Sequence, residues 1–533
     1  MSGRVGASLA AMTSDQSAGA TRPAESPHLS LGELADWLGT HAAPRLRGEP
    51  RTMVSGLSLS SSRVRPGDLY VALRGARAHG AAYASEALAR GAVAVLTDPE
   101  GLAVLDATPP ADTGSAGQVP VLVVPAPRRL LGPLAAHLYG DPATSMAMVG
   151  VTGTQGKTTT TRLAESGLSA AGVVSAVIGT VGTRVAGEDI RTSLTTPEAP
   201  DLHGLLAMMR EREVAACAME VSSHALVMGR VDGVVFDVAA FLNLGRDHLD
   251  FHADEEEYFA AKADLFTPER ARLGLVNLDD GHGRRLLESP QIELRTFSTS
   301  GSTSGAEADW RAVDITGSAG GSTFTVLGPG GLRVPAGVPL AGAFNVANAL
   351  AAVAACAEAG FDAAAVAAGI AAGPGVPGRL EAVAAGQPFS VVVDYAHKPD
   401  AVRAILTTLR PLTAGRLILV LGAGGERDPG KREIMGEIAA QLADLFVVTD
   451  DNPRGEDPAT IRAAVLAGVR TDSPAEVVEI GDRRAAIAEA IGRAREGDIV
   501  LIAGKGHETG QEIAGVVHPF DDRVVAREEL AAL

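Results

Sequence analysis

The chain has 533 residues, of which 46% are hydrophobic and 21% charged, and a formal net charge of −18. That length exceeds one ordinary hydrophobic core, so a soluble globular protein of two to four domains is expected. The acidic excess argues against nucleic acid or an anionic membrane as partner, while local Arg, Lys and Mg²⁺ still admit an anionic substrate.

The first 27 residues, rich in Ser, Ala, Gly and Pro, read as a disordered tail with too little apolar length for a secretory leader. No stretch approaches the ~20 apolar residues of a membrane span, so a cytoplasmic protein is expected. Cys217 and Cys356 lie in apolar stretches and read as buried thiols of a reducing compartment.

Residues 28–145 read as a small α/β domain. LSLGELADWLGTHA is a predicted helix, GDLYVAL a buried strand, and AYASEALARGA a helix closed by Gly91. VAVLTD and VPVLVVP are further strands, and YGDPATSM breaks the pattern.

Residues 146–375 alternate strands (MVGVTG, VAACAMEVSS, VVFDVAAFLNLG, RLGLVNLDD) with helices, which predicts a mostly parallel sheet covered on both faces. MVGVTGTQGKTTTTRLAESGL is a strand, a glycine turn and a helix in that order. Its N–H groups and helix dipole favour an anion, Lys157 can reach the β- and γ-phosphates, and the Thr158 hydroxyl can ligand Mg²⁺. The general phosphate loop has a glycine where this chain has Val151; here the shorter G-x-x-G-K-T form runs from Gly153 to Thr158. Residues 300–337 read as hairpins and AGAFNVANALAAVAACAEAG as an Ala-rich helix.

AAGPGVPGRLE marks a second boundary, before a domain spanning 376–533. Four apolar strands there end in DYAHKPDA, GAGGERDPGKR, DDNPRGEDP and GKGHE. Open α/β sheets bind ligands at the carboxyl ends of their strands, where all four turns fall. Elsewhere, Glu220 ends a strand and reads either as a metal carboxylate or as a carboxylate saturated by hydrogen bonds. His248 stands between Asp247 and Asp250, and Lys262 by its spacing alone reads as a solvated lysine.

GTQGKTT, TTPE, EVSSH, DHLDFH, AAK, FNVANAL, GRLE, DYAHKPD, GGERDPGKR, DNPR and GKGHE together resemble the Mur ligase family. Its members are ATP-dependent enzymes that append amino acids to the cell-wall nucleotide precursor. The match covers nearly everything after about residue 30 and is carried by the set of motifs rather than by any one. It implies an α/β chain of three domains: a central P-loop-type, mostly parallel sheet, a small N-terminal nucleotide-sugar domain and a C-terminal doubly wound amino-acid domain. The implied activity is a carboxylate–amine ligase of peptidoglycan synthesis. The γ-phosphate of ATP activates a carboxylate as an acyl phosphate, an amine attacks it, and ADP and phosphate leave. DNPR beside GKGHE implies meso-2,6-diaminopimelate as the amino acid and UDP-N-acetylmuramoyl-L-alanyl-D-glutamate as its acceptor, handled by a monomer.

Roles follow the motifs by position. Gly153, Thr154, Gln155, Gly156, Lys157, Thr158 and Thr159 would cradle ATP, with Asn345, Arg379, Asp394 and His397 around the adenosine. Thr158 and Glu220 would hold one Mg²⁺; His248 and Lys262, N-carboxylated in the family, would serve a second. Leu59, Ser61, the Ala76-Arg77-Ala78 loop, Thr195, Thr196, Ser222, Met228 and Arg230 would meet the nucleotide-sugar peptide. Arg427, Asp451, Asn452, Pro453, Arg454, Gly504 and Glu508 would meet the amino acid, Arg454 gripping its far carboxylate through two parallel hydrogen bonds. The chain departs from the family at Gln155, usually Asn, at Ser60-Ser61-Ser62, commonly Asp-Ser-Arg, and at Met228, usually polar. Rivals are another ligase of the superfamily, such as a folylpolyglutamate synthase or the D-Ala-D-Ala-adding enzyme, and a non-catalytic ATP-binding protein on a ligase scaffold.

Overall fold

Strands that are apolar at every position ask to be covered on both faces, and three sheets of this chain are built that way. The computed structural model describes residues 21–108, 119–192, 194–245, 247–248, 251–300 and 308–533. The chain divides into two units, Met1–Phe297 with Ala354–Asp362, and Ser298–Val353 with Ala363–Leu533.

The first unit begins with a five-stranded sheet of β1 (Arg45–Arg47), β2 (Gly56–Ser58), β3 (Asp68–Val71), β4 (Ala94–Thr97) and β5 (Val121–Val123). The order is β1-β5-β4-β3-β2, parallel except for β1. Successive residues serve opposite faces: Leu69 and Val71 pack into one core, and Tyr70 between them into another. The helix Leu31–Gly39 opens with a capping box, Ser30 and Glu33 each closing the other's backbone N–H. Residues 21–25, inside the expected tail, are hydrogen-bonded: Arg22 to Asp68 and the Leu57 carbonyl, Ala24 and Glu25 N–H to Glu211. Residues 1–20 of that tail lie outside the described residues.

The second sheet of this unit holds β6 (Ala147–Thr152), β7 (Ser175–Ile178), β8 (Ala216–Glu220), β9 (Phe236–Phe241), β10 (Ala271–Asn277) and β11 (Glu293–Ser298). They run parallel in the order β7-β8-β6-β9-β10-β11, with the hairpin Thr183–Val185/Glu188–Ile190 on the β7 edge. β6 is central and continues through a turn into α1 (Lys157–Ala170). A later helix, α2 (Glu255–Ala263), follows β9. Cys217 and Cys356 are both buried and unbridged.

In the second unit, β12 (Trp310–Ser318), β13 (Gly321–Gly328) and β14 (Leu332–Val338) form the expected antiparallel meander. Residues 301–307 of the expected hairpin segment lie outside the described residues. The Ala-rich helix is α3 (Ala343–Glu358), whose residues up to Val353 belong to this unit.

The last sheet contains β15 (Ser390–Asp394), β16 (Leu417–Leu421), β17 (Leu445–Val448), β18 (Glu476–Glu479) and β19 (Ile499–Ala503). These five run parallel in the order β15-β19-β16-β17-β18, and the short strand Glu381–Ala382 pairs antiparallel with β15 at the edge. Leu417, Leu419 and Leu421 enter one core and Ile418 and Val420 the opposite one, so helices cover both faces. A short hairpin, β20 (Gly510–Ile513) with β21 (Val516–Pro519), follows β19. Among the described residues, no helix is long and apolar enough to cross a membrane.

Candidate active site

The glycine turn after β6 is the expected phosphate loop in shape. Gly156 caps α1 at φ 87°, a backbone that side chains rarely adopt, and Lys157 is the first helical residue. The exit of β9 holds the loop. Thr154 N–H donates to the Asn243 carbonyl (3.0 Å) and Gln155 N–H to Asn243 Oδ1 (2.9 Å), while Asn243 Nδ2 returns to the Gln155 carbonyl (3.1 Å). First-turn N–H groups of a helix have no partner within it, so the mouth of α1 presents donors to an anion. Lys157 Nζ folds onto the loop, donating to the carbonyls of Gly153 (2.6 Å) and Thr154 (3.0 Å).

Lys262 is not the solvated lysine its spacing suggests. It is 1% exposed, donates to the same Gly153 carbonyl (3.1 Å), and lies 4.6 Å from the centre of the Tyr258 ring. Tyr258 and Lys262 stand four apart on α2, hence on one face, and that face is turned to the loop; the Tyr258 hydroxyl reaches Thr154 Oγ1 (3.1 Å). Burial, then the nearby charge of Lys157, push the Lys262 ammonium well below the usual lysine range, against the opposing pull of Asp247. Its proton is therefore held less firmly than that of an ordinary lysine.

Glu220 ends β8, in register beside Val151 of β6. It is buried, and both oxygens accept from Thr180, Oε1 from N–H (2.7 Å) and Oε2 from Oγ1 (3.2 Å). Gly179 leaves room for it: a Cβ there would lie 2.3 Å from Oε1. A carboxylate has about four acceptor sites, so these bonds orient Glu220 without saturating it. Thr158 is buried in the first turn of α1. Among the described residues there is no cluster of three or more His, Cys, Asp or Glu that would cage a metal. Sparse protein donors suit Mg²⁺, which keeps several waters and binds through one or two carboxylates and substrate phosphates.

His248 adopts φ 55°, with its N–H on Asp247 Oδ1 (2.9 Å) and its ring 3.5 Å from Asp247 Oδ2. The ring centre lies 4.8 Å from that of His224 and 6.1 Å from Tyr258, which connects it to the face of α2 carrying Lys262. Asp250, the other expected flank, lies outside the described residues.

Five of the expected nucleotide-sugar residues gather beside Glu220. Thr195 Oγ1 is 3.0 Å from Thr180 Oγ1, Thr196 Oγ1 donates to the Glu220 carbonyl (2.8 Å), and Ser222 N–H donates to Thr196 Oγ1 (3.4 Å). Arg230 spans Glu198 (2.9 Å), the Thr196 carbonyl (3.3 Å) and Met228 Sδ (3.5 Å). The Met228 sulfur thus takes an acceptor's place. Leu59, Ser61 and Ala76–Ala78 sit on the N-terminal sheet domain, where Ser61 donates to Glu86 (2.8 Å) and Arg77 is exposed. Among the described residues, no hydrogen bond joins that group to the Thr195–Arg230 cluster.

In the second unit, Asp394 closes β15 as a buried carboxylate accepting from Leu380 (2.8 Å) and Ala396 (2.7 Å) N–H. Burial holds its carboxyl above the usual range despite Arg379. The Arg379 guanidinium lies 4.9 Å from the centre of the Tyr395 ring, and its buried Nε has no hydrogen-bond partner. His397 Nδ1 contacts the Tyr395 carbonyl (2.9 Å), and burial lowers its proton affinity. These three are neighbours. Asn345 is held by its own helix region, donating to Ala341 (2.8 Å) and accepting from Asn348 (3.1 Å).

The amino-acid candidates meet at the ends of β16, β17 and β19. Asn452 Nδ2 donates to Glu508 Oε2 (2.8 Å). Arg454, at φ 53°, donates to the Gly425 carbonyl (2.6 Å) and has Nε 3.4 Å from Glu512. Asp451 Oδ2 is buried without a hydrogen-bond partner, beneath Gly504, where a Cβ would come within 2.6 Å of it. Pro453 is buried, and Arg427 is exposed on the loop after β16. Sequence reasoning missed the residues that brace this cluster. Arg483, fully buried, grips Asp522 through Nε and a terminal nitrogen (2.7 Å each) and donates to the carbonyls of Ala503 (2.9 Å) and Asp450 (3.3 Å). Lys505 stood in a quoted motif, but a lysine between glycines carries no sign of burial; Asn243, Thr180 and Tyr258 were equally silent.

Three family models match: "Mur ligase family, catalytic domain" over 53–139, "Mur ligase middle domain" over 151–356, and "Mur ligase, glutamate ligase domain" over 378–506. A Streptomyces avermitilis protein named UDP-N-acetylmuramoyl-L-alanyl-D-glutamate–2,6-diaminopimelate ligase is 54% identical over 515 residues, 96% of this chain and 98% of that one. The chain belongs to the Mur ligase family. A Corynebacterium glutamicum ligase of the same name is 48% identical over 90% of this chain and 92% of its own. A solved structure with that name superposes on this Mur ligase with a TM-score of 0.66 at 33% identity, covering 95% of this chain and 99% of the other.

Proposed function

We propose that this Mur ligase joins meso-2,6-diaminopimelate to UDP-N-acetylmuramoyl-L-alanyl-D-glutamate at the expense of ATP, in peptidoglycan precursor synthesis. The chain is an ATP-dependent amide ligase. A carboxylate is a poor acyl donor because hydroxide is a poor leaving group, so the dipeptide carboxylate is first phosphorylated and then attacked by the amine. The observation that carries the reading is the buried Lys262 amine meeting Lys157 on the Gly153 carbonyl. A glycine turn with no phosphoryl chemistry has no use for a lysine so expensive to bury.

In this reading Lys157 stabilises the transferring phosphoryl group and the loop N–H groups hold the nucleotide phosphates. Mg²⁺, held by Thr158 and Glu220, would neutralise charge on the phosphate oxygens; one hydroxyl and one carboxylate suit an ion that keeps several waters. His248 and Lys262 would serve a second ion if the lysine carried CO₂, because an ammonium cannot ligand a cation and a carbamate can. Asn345, Arg379, Asp394 and His397 receive the adenosine. Leu59, Ser61, Ala76–Ala78, Thr195, Thr196, Ser222, Met228 and Arg230 receive the nucleotide sugar and its peptide. Arg427, Asp451–Arg454, Gly504 and Glu508 receive diaminopimelate. Residues 28–145, 146–375 and 376–533 are the corresponding domains, working in the cytoplasm where ATP is supplied.

One experiment tests this reading: ATP-dependent ligation of UDP-MurNAc-dipeptide with a panel of amino acids, the product read by mass. A tripeptide product carrying diaminopimelate is expected. A product with only another amino acid, or ATP hydrolysis indifferent to the dipeptide, overturns it.

A further inference from the structure

The lysine of the GKGHE turn has no part in the reading above, yet its side chain is 0% exposed. An ammonium taken out of water is costly unless its donors are met. Lys505 meets that condition. Its Nζ donates to Asn452 Oδ1 (2.9 Å), Glu508 Oε2 (3.1 Å) and the Gly510 carbonyl (2.6 Å), using all three N–H groups of a lysine.

The three acceptors belong to three different segments: the DNPR turn after β17, the end of GKGHE, and the first strand of the β20–β21 hairpin. Asn452 Oδ1 also receives the Glu512 N–H (3.0 Å). With two donors on its oxygen, the Asn452 amide can only turn Nδ2 outward, where it meets Glu508 Oε2 (2.8 Å). The hairpin fastened at Gly510 in turn holds Arg454, whose N–H donates to the Glu512 carbonyl (3.0 Å) and whose carbonyl accepts from Ala514 (2.7 Å). One buried cation therefore sets the rotamer of Asn452, the aim of Glu508 and the anchorage of Arg454.

Zero exposure rules out contact between Lys505 and a substrate. We infer that Lys505 is a positioning residue for the incoming amino acid, acting through Asn452, Glu508 and the hairpin that carries Arg454. The inference rests on the ligase reading.

Lys505→Met removes the charge and every donor at similar length, and two half-reactions separate the outcomes. Acyl-phosphate formation, trapped by borohydride without any amino acid, requires only ATP and the dipeptide substrate. It is expected to stay within twofold of wild type, while KM for diaminopimelate rises tenfold or more and KM for ATP is unmoved. An unchanged KM for diaminopimelate, or equal loss of both half-reactions in a variant with wild-type Tm, overturns the inference. Lys505→Gln keeps N–H donors without the charge and is expected to raise that KM by less. If neither variant folds, Lys505 serves the fold alone and the inference fails. Wild-type protein that forms acyl phosphate but refuses diaminopimelate sinks the ligase reading instead, and the Lys505 comparison is then made with the amino acid it accepts.

Discussion

Lys157 and Lys262 donate to one carbonyl oxygen, that of Gly153, over 2.6 and 3.1 Å. Unit charges about 4 Å apart repel by roughly 4 kcal/mol at an effective dielectric near 20. Two things relieve such a pair: an anion that both approach, or loss of a proton by one of them. Burial, then the charge of Lys157, weakens the hold of Lys262 on its proton, so it is the one more easily deprotonated. The unprotonated amine is the form that combines with CO₂, so a lowered proton affinity at Lys262 favours the carbamate that the family resemblance implies.

Lys157→Ala is expected to remove ligation, with a loss on the order of 10²–10³-fold in kcat, as when one preorganised electrostatic donor is deleted. Turnover near wild type in the folded variant would end the assignment of the loop to ATP.

Lys262→Ala is expected to be nearly inactive and partly rescued by acetate or formate, which restore an anionic oxygen in the vacated space. Lys262→Arg should be inactive and not rescued, since arginine stays charged, takes up no CO₂ and fills that space. Full activity in Lys262→Ala would leave the lysine as packing only. Steady-state ligation with and without added carboxylate decides it.

Asn243→Ala is expected to raise KM for ATP about tenfold. Asn243 makes two side-chain hydrogen bonds to Gln155, each worth about 0.5–1.5 kcal/mol, and together they hold the backbone that shapes the phosphate loop. KM for diaminopimelate should not move. A variant with both constants unchanged would mean that the backbone bond from Thr154 suffices.

Much of this organisation is legible in sequence because it is local. DYAHKPDA, GAGGERDPGKR, DDNPRGEDP and GKGHE each follow an apolar run, so each predicts a strand ending in a polar turn. The sheet order β15-β19-β16-β17 then makes all four turns neighbours. The loop at Gly153–Lys157 is equally local, since its glycines and the strand and helix around it are contiguous. What stays hidden is long-range. Lys262 is buried because α2 returns to a loop more than a hundred residues earlier in the chain, and composition near Lys262 holds no record of that. Lys505 is buried by Asn452 and by a hairpin that periodicity did not reveal. Glu220 illustrates a middle case: its strand end was predicted, its hydrogen bonds to Thr180 were not.

Both cysteines should be inert in the native protein. Burial alone pushes the thiols of Cys217 and Cys356 up to about 12, so neither forms appreciable thiolate at pH 8, and neither is exposed to reagent. Iodoacetamide at pH 8 is expected to label neither before denaturation and both after it, with full ligase activity retained. Rapid native labelling would mean that the helix or strand carrying the thiol opens readily.

The sharpest prediction concerns the choice of amino acid. Arg454 spends one N–H on the Gly425 carbonyl and directs Nε toward Glu512, so of its five donors others remain for a carboxylate. Meso-diaminopimelate carries a second amino-acid head whose carboxylate suits two parallel bonds from a guanidinium; lysine shares the reacting head and lacks that carboxylate. Lysine would leave Arg454 without that partner, and sites built around a polar substrate group reject analogues lacking it by ~10⁴–10⁵-fold. Wild type is therefore expected to use diaminopimelate and refuse lysine. Arg454→Ala should lose diaminopimelate turnover mainly through KM, with acyl-phosphate formation intact. Lysine use need not increase, because deleting a grip builds no lysine pocket. The measurement is the diaminopimelate-to-lysine ratio of kcat/KM in wild type and in Arg454→Ala. A wild-type ratio near one, or a ratio the substitution leaves unmoved, would reduce DNPR to a turn.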